Sequence, residues 1–432
     1  MPSWMETVSI VDGPLFSGVF AVAGTLLLVL LSPAPWQLRP LRRHVLVAAI
    51  AALTGGAVGA LATWLLGDVL NIFGISLTWV VRWANALAGA AAGIAIAALV
   101  RTRWPRKVLA VLTLVVTALG LGMVINVDFG QYPRLGDALG TTYTAAADLP
   151  PRVEAAPPVE QWTPPQDLPD RGHVGRVTIP ATVSGFPARP AYVYLPPAAL
   201  AEEPPALPVV VALAGQPGEP ADMFRAAGID TILDDLAEEH EGLAPIVVVP
   251  DQLGNPTENP MCVDGELGNS ATYLTVDVPA WIRARLNVSA DRTDWTIAGF
   301  SQGGTCSLQL GAGHPELFGA LLDIAGEEAP TLGSPEATVD RGFGGDAEAY
   351  RAATPAALLE AGAPYRDTVA VFVAGENDRK YSASMRTVSA QAAEAGMAVT
   401  VLVSPRTAHD WNTARFGLRE GFERLLPRWG IG

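Results

Sequence analysis

Four uncharged apolar stretches follow one another in the first 130 residues: Gly13 to Leu38, Val45 to Gly67, Trp83 to Val100 and Val108 to Val127. Each is about 18 to 26 residues long, and a helix of that length crosses a hydrocarbon layer about 30 Å thick. A buried globular bundle does not account for four consecutive segments without a charge. A cleaved leader does not either, because three more spans follow the first and the extreme N-terminus is acidic. Residues 1–130 are therefore expected to form an all-α transmembrane domain of four helices.

Charge predicts how these helices are threaded. Arg39, Arg42, Arg43 and His44 lie between spans one and two, and Arg101, Arg103, Arg106 and Lys107 between spans three and four. The other side carries Glu6, Asp12, Asp68 and Asp128, with Arg82 as its one cation near a span. Basic loops stay cytoplasmic, which places the N-terminus and everything after Val127 outside the cell membrane. Gly55-x-x-x-Gly59 and Gly89-x-x-x-Gly93 would let helices approach closely. No ionisable group interrupts the spans to mark a transport path, so they read as an anchor.

The chain holds 28 Lys/Arg and 43 Asp/Glu, of which residues 1–130 take eight and four. The remainder is strongly acidic, which excludes nucleic acid as an electrostatic partner. Residues 131–172 are dense in Pro, Ala and Asp and read as a semi-rigid extracytoplasmic linker. From 173 to 432, short continuous apolar runs alternate with helical patterns. The runs are Ala191–Leu195, Val209–Leu213, Pro245–Val249, Trp295–Phe300, Ala320–Ile324, Thr368–Ala374 and Ala398–Val403. Helices are expected around Met223–Glu238, Ala271–Leu286, Thr305–Ala312 and Ser382–Ala395, and from Trp411. That alternation implies an α/β domain with a mostly parallel sheet and helices on both faces.

Gly299-Phe300-Ser301-Gln302-Gly303 stands directly behind one of those strands and before one of those helices. A serine between two glycines at such a junction sits on a strained turn that exposes its hydroxyl, and the next N–H faces a developing oxyanion. Ser301 is the expected nucleophile and the Gln302 N–H the first oxyanion donor. Five histidines are available. His44 lies in a cytoplasmic loop, His173 precedes the first strand, His240 sits in an acidic run, and His314 ends a helix beside Pro315. His409, after the last strand and before the last helix, is the expected general base. The acid belongs after the strand 368–374: Asp378 is expected, with Glu376 as the alternative. The turn Ala214-Gly215-Gln216-Pro217 follows a central strand, and the Gln216 N–H is the expected second oxyanion donor, since Pro217 has none. Cys262 and Cys306 are the only cysteines, and an even count in an extracytoplasmic domain points to a disulfide that would pin the loop containing Cys262 beside the site. Two separate buried thiols are the alternative. Nothing nearby offers a metal-ligand pair.

With these segments placed, residues 174 to 430 resemble the esterase D branch of the α/β-hydrolases, which includes the mycolyltransferases of mycobacterial cell walls. The resemblance rests on Gly299-Phe300-Ser301-Gln302-Gly303-Gly304, on Gly375-Glu376-Asn377-Asp378 and on Ala408-His409-Asp410-Trp411. It implies an α/β-hydrolase fold, a serine nucleophile, an acyl-enzyme intermediate and no cofactor. The chain resembles actinobacterial envelope proteins in carrying several spans before such a domain. It departs from the mycolyltransferases at Ala214–Pro217, where they resemble one another in a longer segment with an aspartate, and at Gln302, where they commonly carry Met. The expected activity is a membrane-anchored serine esterase acting on an ester substrate of lipid or glycolipid type. An acyltransferase and a catalytically inactive envelope scaffold remain as alternatives.

Overall fold

A computed structural model of the chain describes residues 4–32, 41–72, 74–75, 77–153 and 155–432. They fall into two compact units, Met1–Thr142 and Tyr143–Gly432.

The first unit contains four helices long and apolar enough to cross a membrane: α1 (Gly13–Leu31), α2 (Leu41–Thr63, continued as a π-helical run Trp64–Val69), α3 (Trp79–Arg101) and α4 (Trp104–Phe129). The end of the expected first span, 33–38, and Arg39 lie outside the described residues. Both α3 and α4 begin a turn before the uncharged stretches that announce them. Thr78 caps α3 by accepting the Val81 N–H at 3.2 Å, and Arg82 in its first turn reaches Asp68 through two 2.6 Å hydrogen bonds. A charged residue at a span's end thus stays helical because its head is paired at the interface. Large apolar side chains cover the outside of this unit, Leu53 and Val100 being about three-quarters exposed, and Trp79, Trp83 and Trp104 stand near helix ends. That is the surface of a helix bundle solvated by lipid, with interfacial tryptophans.

The glycines hold α2 against α3. A Cβ on Gly55 would lie 2.1 Å from the Gly89 carbonyl oxygen, one on Gly59 2.4 Å from that of Asn85, and one on Gly93 2.1 Å from that of Ala51. The two backbones touch, and no other residue fits. Gly89→Leu is expected to separate α2 from α3 and lower the melting temperature of the detergent-solubilised chain by several degrees, whereas Gly24→Leu, with open space around its Cβ position, leaves it unchanged.

The second unit is built on an eight-stranded sheet. Its strands are β1 (His173–Val177), β2 (Ala191–Leu195), β3 (Val209–Leu213), β4 (Ile246–Val249), β5 (Trp295–Phe300), β6 (Ala320–Ile324), β7 (Val369–Gly375) and β8 (Ala398–Ser404). Their spatial order is β1-β2-β4-β3-β5-β6-β7-β8; β2 pairs antiparallel with β1 and β4, and every other pair is parallel. Every residue of β3 and β5 is buried, which is why these strands read as unbroken apolar runs, while the edge strand β8 is half-buried to exposed along most of its length. The helices that matter for the site are α5 (Ile229–Glu239), α6 (Val278–Arg285), α7 (Gln302–Gly313), α8 (Pro355–Gly362), α9 (Arg379–Glu394) and α10 (Trp411–Leu425).

Three boundaries differ from expectation for local reasons. The helix expected over 223–238 breaks at Gly228, which takes φ 62°. The one expected over 271–286 passes through a π turn, Tyr273–Asp277, before α6. α9 starts at Arg379 because Asp378 caps it. Much of the proline-rich segment before β1 is hydrogen-bonded along this unit. Ala147 N–H donates to Arg176 O at 2.9 Å, Val153 N–H to Asn287 Oδ1 at 2.7 Å, and Ala206 N–H to Pro157 O at 2.8 Å. The parallel strands all end at one edge of the sheet, and the loops there carry the residues described next.

Candidate active site

Ser301 joins β5 to α7 with φ 59° and ψ −116°, a conformation that side chains other than glycine avoid. Its N–H donates to Ile324 O at 2.8 Å on β6, and its carbonyl accepts the Thr305 N–H at 3.0 Å. The flanking glycines are a steric requirement. A Cβ on Gly299 would sit 2.0 Å from the Gly303 carbonyl oxygen, and one on Gly303 2.3 Å from that of Leu213.

The loops after β7 and β8 bring two more side chains to this serine. His409 Nε2 lies 2.8 Å from Ser301 Oγ, and His409 Nδ1 lies 3.1 Å from Asp378 Oδ2. A carboxylate only accepts, so Nδ1 donates to Asp378, and in the neutral ring Nε2 is then the acceptor that faces the hydroxyl. Asp378 is held in turn, its Oδ1 accepting the Tyr381 N–H at 3.1 Å. The alternative acid, Glu376, is exposed and accepts the Arg406 N–H at 2.8 Å, away from the histidine. Asp410 caps α10, accepting the Asn412 and Thr413 N–H groups.

Aromatic rings fix the imidazole plane. Tyr381 stacks on His409 with centroids 3.8 Å apart, and Phe300 stacks at 5.2 Å and itself packs on Trp411 at 5.0 Å. Phe300 occupies a free position of the G-x-S-x-G pattern, and Tyr381 lies in a helix turn with no local signature, so neither is visible as a site residue in the sequence.

Gln302 is the first residue of α7, and the turn 214–216 lies against the serine: a Cβ on Gly215 would meet Ser301 Cβ at 3.5 Å. Two further side chains lock these segments together. Gln252 Nε2 donates to Ala214 O at 2.6 Å and to Gln302 Oε1 at 3.1 Å, and Gln302 Nε2 donates to Asn259 Oδ1 at 3.0 Å. Asp251, wholly buried, holds the start of that loop by accepting two hydrogen bonds from the Arg189 guanidinium at 2.9 and 2.7 Å. A disulfide joins Cys262 to Cys306, one turn along α7 from Ser301. At the rim Lys380 pairs with Glu327 at 2.6 Å, and the Glu327 N–H donates to Thr305 Oγ1 at 2.9 Å. Among the described residues no group of three or more His, Cys, Asp or Glu is placed to hold a metal ion.

Asp323 of β6 lies beneath the first turn of α7, and its Oδ1 accepts the Gly326 N–H at 2.8 Å. Complete burial pushes its carboxyl up to about 7, with the Gly326 bond pulling the other way. The unfolded chain loses this proton near 4. The folded state therefore binds the proton more tightly, and stability is lost as pH rises from about 4 through about 7. Asp323→Asn is expected to raise the melting temperature of the full chain in detergent at pH 8 and to change it little at pH 4.5. A shift equal at both pH values would refute the assignment.

The Esterase family model matches residues 188–414. Over the whole length of both chains, the protein is 32% identical to an uncharacterized protein of Corynebacterium glutamicum. Among solved structures, a ferulic acid esterase superposes with a TM-score of 0.51 at 17% identity, covering 60% of this chain and 99% of its own. An S-formylglutathione hydrolase from Agrobacterium tumefaciens gives 0.49 at 21% identity, covering 61% and 97%. A strained serine between β5 and α7, in an eight-stranded sheet ordered as this one is, accompanies a family match that spans more than half of the chain, and the protein belongs to the Esterase family of α/β-hydrolase fold.

Proposed function

We propose that this protein is a membrane-anchored serine esterase in which Ser301, His409 and Asp378 act as a triad. The observation that carries this reading is the row Asp378–His409–Ser301, whose side chains lie within hydrogen-bonding distance of one another. Ser301 Oγ attacks the ester carbonyl carbon while its proton passes to His409 Nε2. The carbonyl oxygen takes up the displaced electron pair and is held by the Gln302 and Gln216 N–H groups. Collapse of this intermediate expels the alcohol, which leaves with the proton from His409. Water, deprotonated by His409, then cleaves the acyl-enzyme and restores the serine. Asp378 keeps the imidazole oriented and stabilises its charged form. No cofactor takes part.

In this reading residues 1–130 anchor the chain, 131–172 link, and 173–432 catalyse, with the catalytic part outside the cell membrane. The cationic ends of α2, α3 and α4 support that orientation, as do Asp68 and Asp128 at the opposite ends of α2 and α4, with Arg82 at that end of α3 paired to Asp68, and a disulfide in the catalytic part. Alkaline phosphatase fused after Gly432 is expected to be active, and green fluorescent protein at the same point to be dark; the reverse result would overturn the topology.

A second reading keeps the same acyl-enzyme and passes the acyl group to a sugar or lipid hydroxyl. It is favoured by the four spans, which keep the chain at a lipid surface. Gln302, held by Gln252 and Asn259 beside Ser301, and the turn Ala214–Pro217 depart from the mycolyltransferase pattern, so a mycolyl donor is not assumed. The intact row weighs against an inactive scaffold.

The full chain in detergent, given a fluorophosphonate probe and p-nitrophenyl esters of increasing chain length, tests the proposal. Wild type is expected to label and turn over, and Ser301→Ala to lose both. Asp378→Asn should reduce kcat/KM by about three to four orders of magnitude, and Glu376→Gln by less than about threefold. Turnover surviving in Ser301→Ala would end the proposal. Acylated trehalose formed in preference to free acid would select the transferase reading.

A further inference from the structure

At the basic end of the first unit, Arg43, His44, Arg101 and Arg106 line a cavity whose remaining wall is apolar apart from Thr102, with Leu30, Val47 and Ile94 among its side chains. Arg106 is 6% exposed. Its Nη2 donates to the carbonyls of Val29 and Ser32 at the end of α1, where a helix leaves carbonyls without partners. Its Nη1 is buried and, among the described residues, has no hydrogen-bond partner. Arg106 forms no ion pair among the described residues either. The carboxylates of the first 130 residues, Glu6, Asp12, Asp68 and Asp128, lie towards the opposite ends of the helices. Carbonyl dipoles do not neutralise a guanidinium withdrawn from water, and an unpaired buried charge is expensive. His44 contributes no anion, since its Nε2 lies 2.8 Å from Leu31 O. Arg43 and Arg101 are exposed.

We infer that this cavity binds the phosphate of an anionic phospholipid, with Arg106 as the buried anchor and Arg43 and Arg101 as further donors. A guanidinium whose Nη1 has no partner among the described residues matches a phosphodiester oxygen, and three cations around one small cavity match a headgroup of net negative charge. The apolar wall matches the start of an acyl chain, which a free phosphate ion lacks. Basic pockets between spans are suited to this recognition. The site lies within the first unit and does not depend on the esterase reading.

Native mass spectrometry of the full chain released from detergent decides the matter, with phosphatidylglycerol, phosphatidylcholine and inorganic phosphate titrated separately. Phosphatidylglycerol is expected to bind at least tenfold more tightly than phosphatidylcholine, and millimolar phosphate not to displace it. Arg106→Gln is expected to weaken phosphatidylglycerol binding tenfold or more. Arg43→Gln/Arg101→Gln, which changes only exposed side chains, should weaken it by a comparable factor and decides alone if Arg106→Gln does not fold. Arg103→Gln, outside the cavity lining, should leave it unchanged. Equal binding of the two lipids, unchanged binding in the double variant, or an equal loss in Arg103→Gln would overturn the proposal. Displacement by phosphate at the concentration of the lipid would replace the lipid with a free anion.

Discussion

The contact on which the candidate site depends is the one between the backbones at Gly299, Gly303 and Leu213. With no Cβ at either glycine, α7 starts against the ends of β3 and β5, and the chain reverses at Ser301 with a positive φ. That reversal leaves the hydroxyl at the carboxyl edge of the sheet, where His409 and Asp378 also arrive. A residue in such a conformation carries about 1–3 kcal/mol of strain, and its surroundings must over-determine it. Here they do: β6 accepts its N–H, Thr305 donates to its carbonyl, and a disulfide fastens α7 one turn later.

Around this point the loops are held by side chains that perform no chemistry. Gln252 bridges the turn after β3 to Gln302, Asn259 takes the other end of Gln302, and Arg189 pins Asp251. Such a network fixes the peptide groups on either side of the serine. The histidine is treated differently: flat aromatic faces of Tyr381 and Phe300 restrict its rotation while leaving both ring nitrogens to their partners.

The first unit follows a different physical rule. In lipid there is no hydrophobic gain from bringing helices together, so α2 and α3 associate by backbone contact at glycines, and polar groups settle at the ends. Asp68 and Arg82 neutralise each other at one end. Arg106, at the other, has only carbonyl partners among the described residues, and this cation beside a largely apolar wall is the feature of this unit that packing alone does not explain.

Composition and periodicity were enough to read four long apolar helices and a mostly parallel sheet, and the G-x-S-x-G motif and chain order were enough to single out Ser301 and His409, which the structure brings together. Each of these rests on local rules: span length against bilayer thickness, apolar runs where both faces of a strand are buried, glycines where a turn admits no Cβ. The position after β7 favoured Asp378 and kept Glu376 as the alternative, but the geometry that separates the two is not local. Two carboxylates two residues apart differ only in which one the start of α9 turns towards the histidine, and that direction is set when Asp378 caps the helix. Tyr381, Phe300, Gln252 and Asn259 were not legible in the sequence, because their partners lie far away along the chain and meet only when β3, β4, β5, β7 and β8 end at one edge. The sequence determined which elements form, since those follow from neighbours along the chain. The tertiary structure alone decided which side chains share a site, since that follows from where the strands stop and which way the next residue faces.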